Sequence, residues 1–176
     1  MTAAVSLTPD SADLSPGAVK AASQAMNALR TDLNSVFIER SAEIDATLTA
    51  IVAEEHVLLL GPWGTAKSAL TNAIASATGL TYWSHLMTKH TTPEEVFGPI
   101  SLKGLRNDEY RRITKGKFPT AQVAFADEIF KSNSAILNAL LTALNERQFD
   151  NVGTREDIPL SVCIGASNEL PQDESL

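Results

Sequence analysis

The 176-residue chain predicts an α/β fold: a three-layer αβα sandwich around a mostly parallel sheet. Three observations carry that expectation. Short apolar runs, Val57–Leu60, Val123–Ala126 and Leu160–Ala166, alternate with segments whose apolar residues recur at helical spacing. The first run ends at Gly61 in a small-residue loop that leads directly into such a segment. Gly61, Asp127 and Asn168 each follow the C-terminal end of a run. Right-handed crossovers collect those ends on one rim of the sheet, where open α/β sheets bind ligands.

Composition narrows the function classes. The chain is 44% hydrophobic and 20% charged, within the range of a globular protein with a substantial core. Its 14 basic and 21 acidic residues leave a net charge of −7, which argues against non-specific adhesion to nucleic acid or an anionic membrane. The N-terminus has neither a basic start nor an apolar core of signal-peptide length, and no apolar run approaches a membrane span. The expectation is a cytoplasmic protein. A single cysteine, Cys163, lies in an apolar run and reads as a small buried hydrophobe. His56, His85 and His90 form no zinc-like spacing with it.

Taken in order, residues 1–14 are small and polar and read as a disordered arm preceding a domain at 15–176. Ser15-Pro16 resembles an N-cap with proline at the first helical position, and Val19, Ala22, Met26, Leu29 and Leu33 follow helical spacing. Ser41 reads as the cap of a second helix carrying Ile44, Leu48, Ile51 and Val52, with VFIERS (36–41) as the joint. After the loop, Leu70, Ala73, Ile74 and Ala77 mark a helix closed by Gly79. Residues 80–86 (LTYWSHL) suit a strand. Thr92 and Glu95 frame a capping box around Pro93, in a turn stopped by Gly98-Pro99. Residues 100–105 and 109–114 flank the turn-rich triplet RND and predict a β-hairpin. Ser132 or Asn133 caps a helix with an apolar face of Ile136, Leu137, Leu140, Leu141 and Leu144. Asn151-Val152-Gly153 marks a second hairpin within 149–157, and a polar tail follows the last strand.

The chemistry centres on GPWGTAKS, residues 61–68. Strand, glycine-containing loop, Lys-Ser and helix are the parts of a phosphate-binding P-loop (Walker A). Gly61 and Gly64 let the backbone curl around phosphate oxygens, with Pro62, Trp63, Thr65 and Ala66 completing the loop. The next helix offers its N-terminal N–H groups and positive dipole end. Lys67 supplies a mobile charge for the β- and γ-phosphates, and Ser68 a hydroxyl for Mg²⁺. Ala66 stands where the standard motif has glycine. Since the helix begins there, right-handed geometry is expected at Ala66, and an alanine is tolerable. The run VAFADE, residues 123–128, delivers two adjacent acids in the manner of a Walker B strand. Asp127 would hold Mg²⁺ and Glu128 would polarise the attacking water, although acids at a helix start also simply satisfy its dipole. Asn168 could orient water near the γ-phosphate or merely cap a loop. Arg147, Arg155 and the cluster Arg111, Arg112, Lys115 and Lys117 read first as solvated side chains, with a neighbour-facing or partner-facing role as the alternative.

GPWGTAKS, VAFADE and Asn168, together with TPEEVFGPIS and ILNALLTALNERQF, resemble the MoxR family of AAA+ ATPases, most closely its RavA branch. The similarity runs from about Asn34 to the C-terminus. It implies ATP and Mg²⁺ as ligands, ATP hydrolysis as the activity, and Asn168 as sensor 1. It also implies that the RavA branch's alanine occupies position 66, that the two hairpins are the family's inserts, and that Val36, Phe37 or Ile38 lies near the adenine. Family members work as ring hexamers that remodel protein substrates in a chaperone-like way, often beside a partner with a von Willebrand factor A domain. The family's sheet order is 5-1-4-3-2, and its fifth strand, arginine finger and helical lid are expected beyond Leu176. The chain therefore reads as a truncated AAA+ core. The alternative is a non-catalytic nucleotide-binding module that docks on a complete ATPase ring, against which the intact set Lys67, Ser68, Asp127 and Glu128 counts. Nucleic-acid remodelling has little support in an acidic chain.

Overall fold

The computed structural model describes residues 15–62, 64 and 66–169. The expected arm at 1–14, the tail from 170, and loop residues Trp63 and Thr65 lie outside the described residues. Helix α1 (Pro16–Val36) starts as its sequence dictates: Ser15 Oγ accepts from the Ala18 N–H at 3.3 Å, and proline occupies the first turn. Helix α2 (Ser41–Ala53) follows, but Arg40 holds its cap position and makes no side-chain capping bond. Ser41 Oγ instead donates to Asn34 Oδ1 at 2.5 Å, fastening the start of α2 to the end of α1. A bidentate Arg30–Asp45 pair crosses the same two helices on the surface and holds the Asp45 carboxyl below its usual range.

Four parallel strands follow: β1 (Val57–Leu60), β2 (Tyr82–Leu86), β3 (Val123–Asp127) and a final strand at Val162–Ser167. Between β3 and the last strand, β6, lie α6 (Ser134–Glu146) and the hairpin of β4 (Gln148–Asp150) and β5 (Arg155–Asp157). The sheet order is β1-β6-β3-β2. The central strands are apolar up to their last residues, Asp127 and Ser167, because both of their faces are covered. Val123 and Phe125 of β3, with Val162, Ile164 and Ala166 of β6, pack with α1, α2 and α3 (Lys67–Thr78). Ala124, Ala126 and Cys163 face the other way. There α4 (Pro93–Phe97), α6 (Ser134–Glu146) and the hairpin of β4 (Gln148–Asp150) and β5 (Arg155–Asp157) close a second core around Phe97, Phe118, Leu140 and Phe149. The result is a three-layer αβα sandwich. Among the described residues, no helix is long and apolar enough to cross a membrane.

Local chemistry explains several boundaries. The Thr92–Glu95 capping box is formed in both directions around Pro93. Asn133, rather than Ser132, caps α6, its Oδ1 accepting from the Ile136 N–H at 3.0 Å. Its amide meanwhile donates to the Thr91 carbonyl at 3.0 Å, so the asparagine serves both sides of the junction. On α6 the buried stripe runs through Ala143, whereas Leu141 is exposed. Arg147 is not solvated as expected: its guanidinium donates to the carbonyls of Leu160 and Glu54.

The hairpin at 149–157 forms, but the one at 100–114 does not. Its arms touch at a single antiparallel bridge, Ile100–Arg112, supported by Ser101 N–H to Arg111 O and Ile113 N–H to Pro99 O, both 2.8 Å. Residues Leu102–Leu105 form a helical turn, α5, because Ser101 Oγ accepts from the Gly104 N–H at 3.0 Å and redirects the backbone. A Cβ at Gly104 would lie 2.6 Å from the Glu109 carbonyl oxygen, so the turn closes only on glycine. Asn151, buried in the second hairpin, accepts from the Arg112 N–H at 2.7 Å and joins the two inserts.

His56 joins β1 to the rest of the sandwich. Its Nδ1 accepts from the Cys163 N–H at 3.0 Å, which leaves Nε2 protonated and donating to the Leu144 carbonyl at 3.2 Å. Burial pushes its pKa down, and the same burial pushes the Cys163 thiol up to about 12. A neutral His56 thus contributes stability above the unfolded pKa of about 6.5, and that contribution is lost as pH falls through the lower folded value. In urea titrations between about pH 7.5 and about pH 5, His56→Gln should show a shallower loss of stability than wild type. Parallel curves would remove His56 from the account.

Candidate active site

Register brings the sequence's candidate residues to one rim. Leu60 of β1 pairs with Ser167 of β6, and the Gly61 N–H continues the ladder to the Ser167 carbonyl at 3.1 Å. Leu86 of β2 pairs with Asp127 of β3. The phosphate loop, the paired acids and Asn168 therefore emerge side by side. They enclose a cavity of about 630 Å³ whose lining includes Gly64, Lys67, Ser68, Asp127, Glu128 and Asn168. Ala66 lines it as well.

Ala66 does not have the expected geometry. Its φ is +57° and its ψ is 23°, in the left-handed region immediately before α3. The position favours glycine for a backbone reason, and alanine there costs about 1–2 kcal/mol. Gly64 also has positive φ, +77°. Gly61 does not, and a Cβ there would meet nothing within 4 Å. Neither packing nor backbone strain calls for glycine at that position.

Lys67 opens α3 and turns back over the loop. Its Nζ donates to the Gly61 carbonyl at 2.6 Å, to Asn168 Oδ1 at 3.1 Å and, more weakly, to the Pro62 carbonyl at 3.4 Å. The Asn168 amide donates to Glu128 Oε1, and Lys131 Nζ lies 3.2 Å from Glu128 Oε2. Lysine, asparagine, glutamate and lysine thus form one polar chain across the ends of β1, β6 and β3. Glu128 has φ +52° and is 6% exposed. A buried carboxylate is tolerable here because each oxygen has a partner. Asp127 Oδ1 accepts from the Glu128 N–H at 3.1 Å and keeps the kinked backbone satisfied. Ser68 is exposed, and its hydroxyl has no hydrogen-bond partner among the described residues.

The residues present fit a phosphorylated ligand with a hard cation. Gly64 lines open space over the loop, Lys67 supplies positive charge, and the Ser68 hydroxyl and the half-buried Asp127 carboxylate supply oxygen donors. No cluster of three His, Cys, Asp or Glu that could hold a metal occurs among the described residues. Lys131 is the cavity-lining residue of this polar chain that the sequence did not single out. The signal for it was its i,i+3 spacing from Glu128 through a 3₁₀ turn, Ile129–Lys131. Val36, Phe37 and Ile38 do not line the cavity; Val36 and Ile38 are exposed, and Phe37 packs against the α1–α3 side of the core. Arg155 lies outside it too, in an exposed pair with Glu146.

Comparison with known proteins bears on the family and the fold. The family model for the MoxR domain in the MoxR-vWA-beta-propeller ternary systems matches residues 24–176. Two uncharacterised proteins of Methanocaldococcus jannaschii are each 51% identical over 149 residues, covering 84% of this chain but only 40% and 39% of their own lengths. The chain thus spans about two-fifths of those relatives. The crystal structure of a proposed ATPase from Cytophaga hutchinsonii superposes with a TM-score of 0.64 at 20% identity, over 88% of this chain and 48% of that one. At that identity it speaks for the shared fold.

Relieving the left-handed alanine should outweigh the roughly 0.4–1 kcal/mol of extra unfolded-state entropy that glycine brings. Ala66→Gly should therefore leave stability unchanged or raise it by up to about 1 kcal/mol, and Ala66→Val should lower it. The check is the pair of urea midpoints; destabilisation by glycine as large as by valine would contradict the left-handed assignment.

Proposed function

This chain belongs to the MoxR family of AAA+ proteins, in the form found in MoxR-vWA-beta-propeller systems, and on that premise we propose that it binds ATP with Mg²⁺ at the rim of β1, β3 and β6 and hydrolyses it. The observation that carries the proposal is the polar chain Lys67–Asn168–Glu128–Lys131, which links the phosphate loop to a buried carboxylate.

Each side chain has a role that its surroundings prepare. The backbone N–H groups of the loop at 61–68 and of the first turn of α3 receive the β- and γ-phosphates. Lys67 exchanges its carbonyl partners and Asn168 for phosphate oxygens, a stronger charge-assisted contact. Ser68 and Asp127 would hold Mg²⁺, which when bound neutralises phosphate charge. Glu128 takes a proton from the attacking water as that oxygen bonds to the γ-phosphorus and the bond to the β-phosphate oxygen breaks, giving ADP and phosphate. Asn168, released by Lys67 on one side, keeps its amide on Glu128 and orients the water. Lys131 stabilises the ionised form of Glu128 between turnovers.

On the scale of the whole protein, we place the chain nearest the RavA branch on the strength of GPWGTAKS, TPEEVFGPIS and ILNALLTALNERQF. The corresponding reading is a core within a longer ATPase. It works as a homo-hexamer and remodels a protein substrate in a chaperone-like way, beside a von Willebrand factor A domain partner. Support for that partner comes from the ternary systems that the matched family describes.

Titration with ATP and Mg²⁺ tests the site. Lys67→Ala should weaken binding about 10- to 100-fold, the worth of a charged hydrogen bond; unchanged affinity would contradict the phosphate loop. Glu128→Gln should still bind ATP but lose about 10²- to 10⁴-fold in any turnover of the complete protein. If turnover survives, Glu128 is not the proton acceptor. Tight binding without turnover in wild type would favour the non-catalytic module.

A further inference from the structure

The insert between α4 and β3 combines a rigid build with an exposed apolar and basic surface. Its backbone is held at several points. Arg112 is half-buried; its guanidinium donates to the Gly98 carbonyl at 2.8 Å and to Glu94 at 3.2 Å, while its N–H is taken by Asn151. Lys117 Nζ reaches the Glu95 carbonyl at 3.1 Å. A Cβ at Gly98 would fall 2.0 Å from the Ile113 carbonyl oxygen and one at Gly104 2.6 Å from that of Glu109, so both glycines are required for the insert to fold tightly. Yet Leu102, Leu105, Tyr110 and Ile113 are 75%, 45%, 56% and 50% exposed. Leu102 and Leu105 stand three apart on α5 and therefore share a side of it.

Charge is concentrated in the same place. Residues 99–117 hold six basic and two acidic side chains, in a chain whose net charge is −7. Lys103, Arg106 and Lys115 form no salt bridge among the described residues, whereas Arg111 and Arg112 pair with Glu109 and Glu94. None of these residues lines the cavity over the phosphate loop.

We propose that this insert is a docking surface for an acidic polypeptide segment that carries apolar side chains. Lys103, Arg106 and Lys115 would meet its carboxylates, and Leu102 and Leu105 would pack on its apolar side chains. Charge complementarity selects the partner's sign. The aliphatic residues select polypeptide over nucleic acid, because single-strand binders stack bases on aromatic rings and the insert offers only Tyr110. Rigidity favours the role as well, since a preformed surface loses little freedom on binding. The inference does not depend on the nucleotide assignment and is tested without nucleotide.

Fluorescence anisotropy with the full chain makes the test. The probes are a labelled helical peptide of about 18 residues with leucine at i, i+3, i+4 and i+7 and glutamate elsewhere, the same peptide with lysine for glutamate, and a labelled oligothymidine. The acidic peptide should bind, more weakly as salt rises, and the lysine peptide should not. Leu102→Ser with Leu105→Ser, and separately Lys103→Glu with Arg106→Glu, should each weaken binding about tenfold. ATP affinity should not change in either variant, which separates failure here from failure at the phosphate site. The proposal falls if the acidic peptide does not bind, or binds both variants as it binds wild type. It also falls if oligothymidine binds more tightly and only the charge reversal abolishes it. Sedimentation supplies the remaining overturning result: self-association of wild type that the leucine variant loses would mean that a second copy covers the surface.

Discussion

β6 lies between β1 and β3 with every residue buried, and its parallel register with both neighbours fixes where the chemistry can occur. Pairing Leu60 with Ser167 and Ala126 with Gly165 puts Gly61 and Asn168 one step past the ends of β1 and β6, with Asp127 closing β3 on the same side of the sheet. A slip of one residue would turn Val162, Ile164 and Ala166 away from α2 and α3 and would move Asn168 relative to Lys67. The two cores that lock the register also place the polar residues, so stability and site geometry share one cause. His56 adds a check at the opposite end of β6, where a displaced strand would lose the Cys163 bond.

Concentrating two lysines, two acids and an amide around the buried Glu128 is costly unless each group is paired. Asn168 resolves much of that cost. Its carbonyl oxygen faces a cation and its amide faces an anion, so one neutral side chain links Lys67 to Glu128. Lys131 closes the chain from the solvent side. Under the proposed ATP binding, the same arrangement would give an arriving phosphate a direct effect on the distant carboxylate. If Lys67 turns to phosphate, the partner that held the asparagine from behind is lost.

Much of this was legible in the sequence because buried parallel strands leave short apolar runs, and loops that approach ligands need glycine. The four sheet strands, Gly79, the Thr92–Glu95 box and the second hairpin follow from local chemistry alone. The failures have physical reasons. Ile100–Leu105 reads as a strand by its apolar residues, but one Ser101 hydroxyl and the glycine behind it select a helical turn. Leu141 lies at helical spacing yet is exposed, while Ala143 joins the buried stripe. Ala66 was expected in right-handed geometry because helix beginnings usually have it, whereas this loop reaches its helix through a left-handed step. Arg147 and Lys131 were hidden because their partners, the carbonyls of Glu54 and Leu160 and the carboxylate of Glu128, come together only in three dimensions or through a 3₁₀ turn.

The Asn168 side-chain amide reports most directly on the central claim that Lys67 leaves it for phosphate. In ¹H–¹⁵N spectra of the chain, saturating ATP with Mg²⁺ should shift the Asn168 Nδ2 proton pair. Lys67→Ala should show its own altered amide position before any nucleotide is added and little further change after. An Asn168 amide that stays in place while ATP demonstrably binds would contradict the link between the phosphate loop and Glu128.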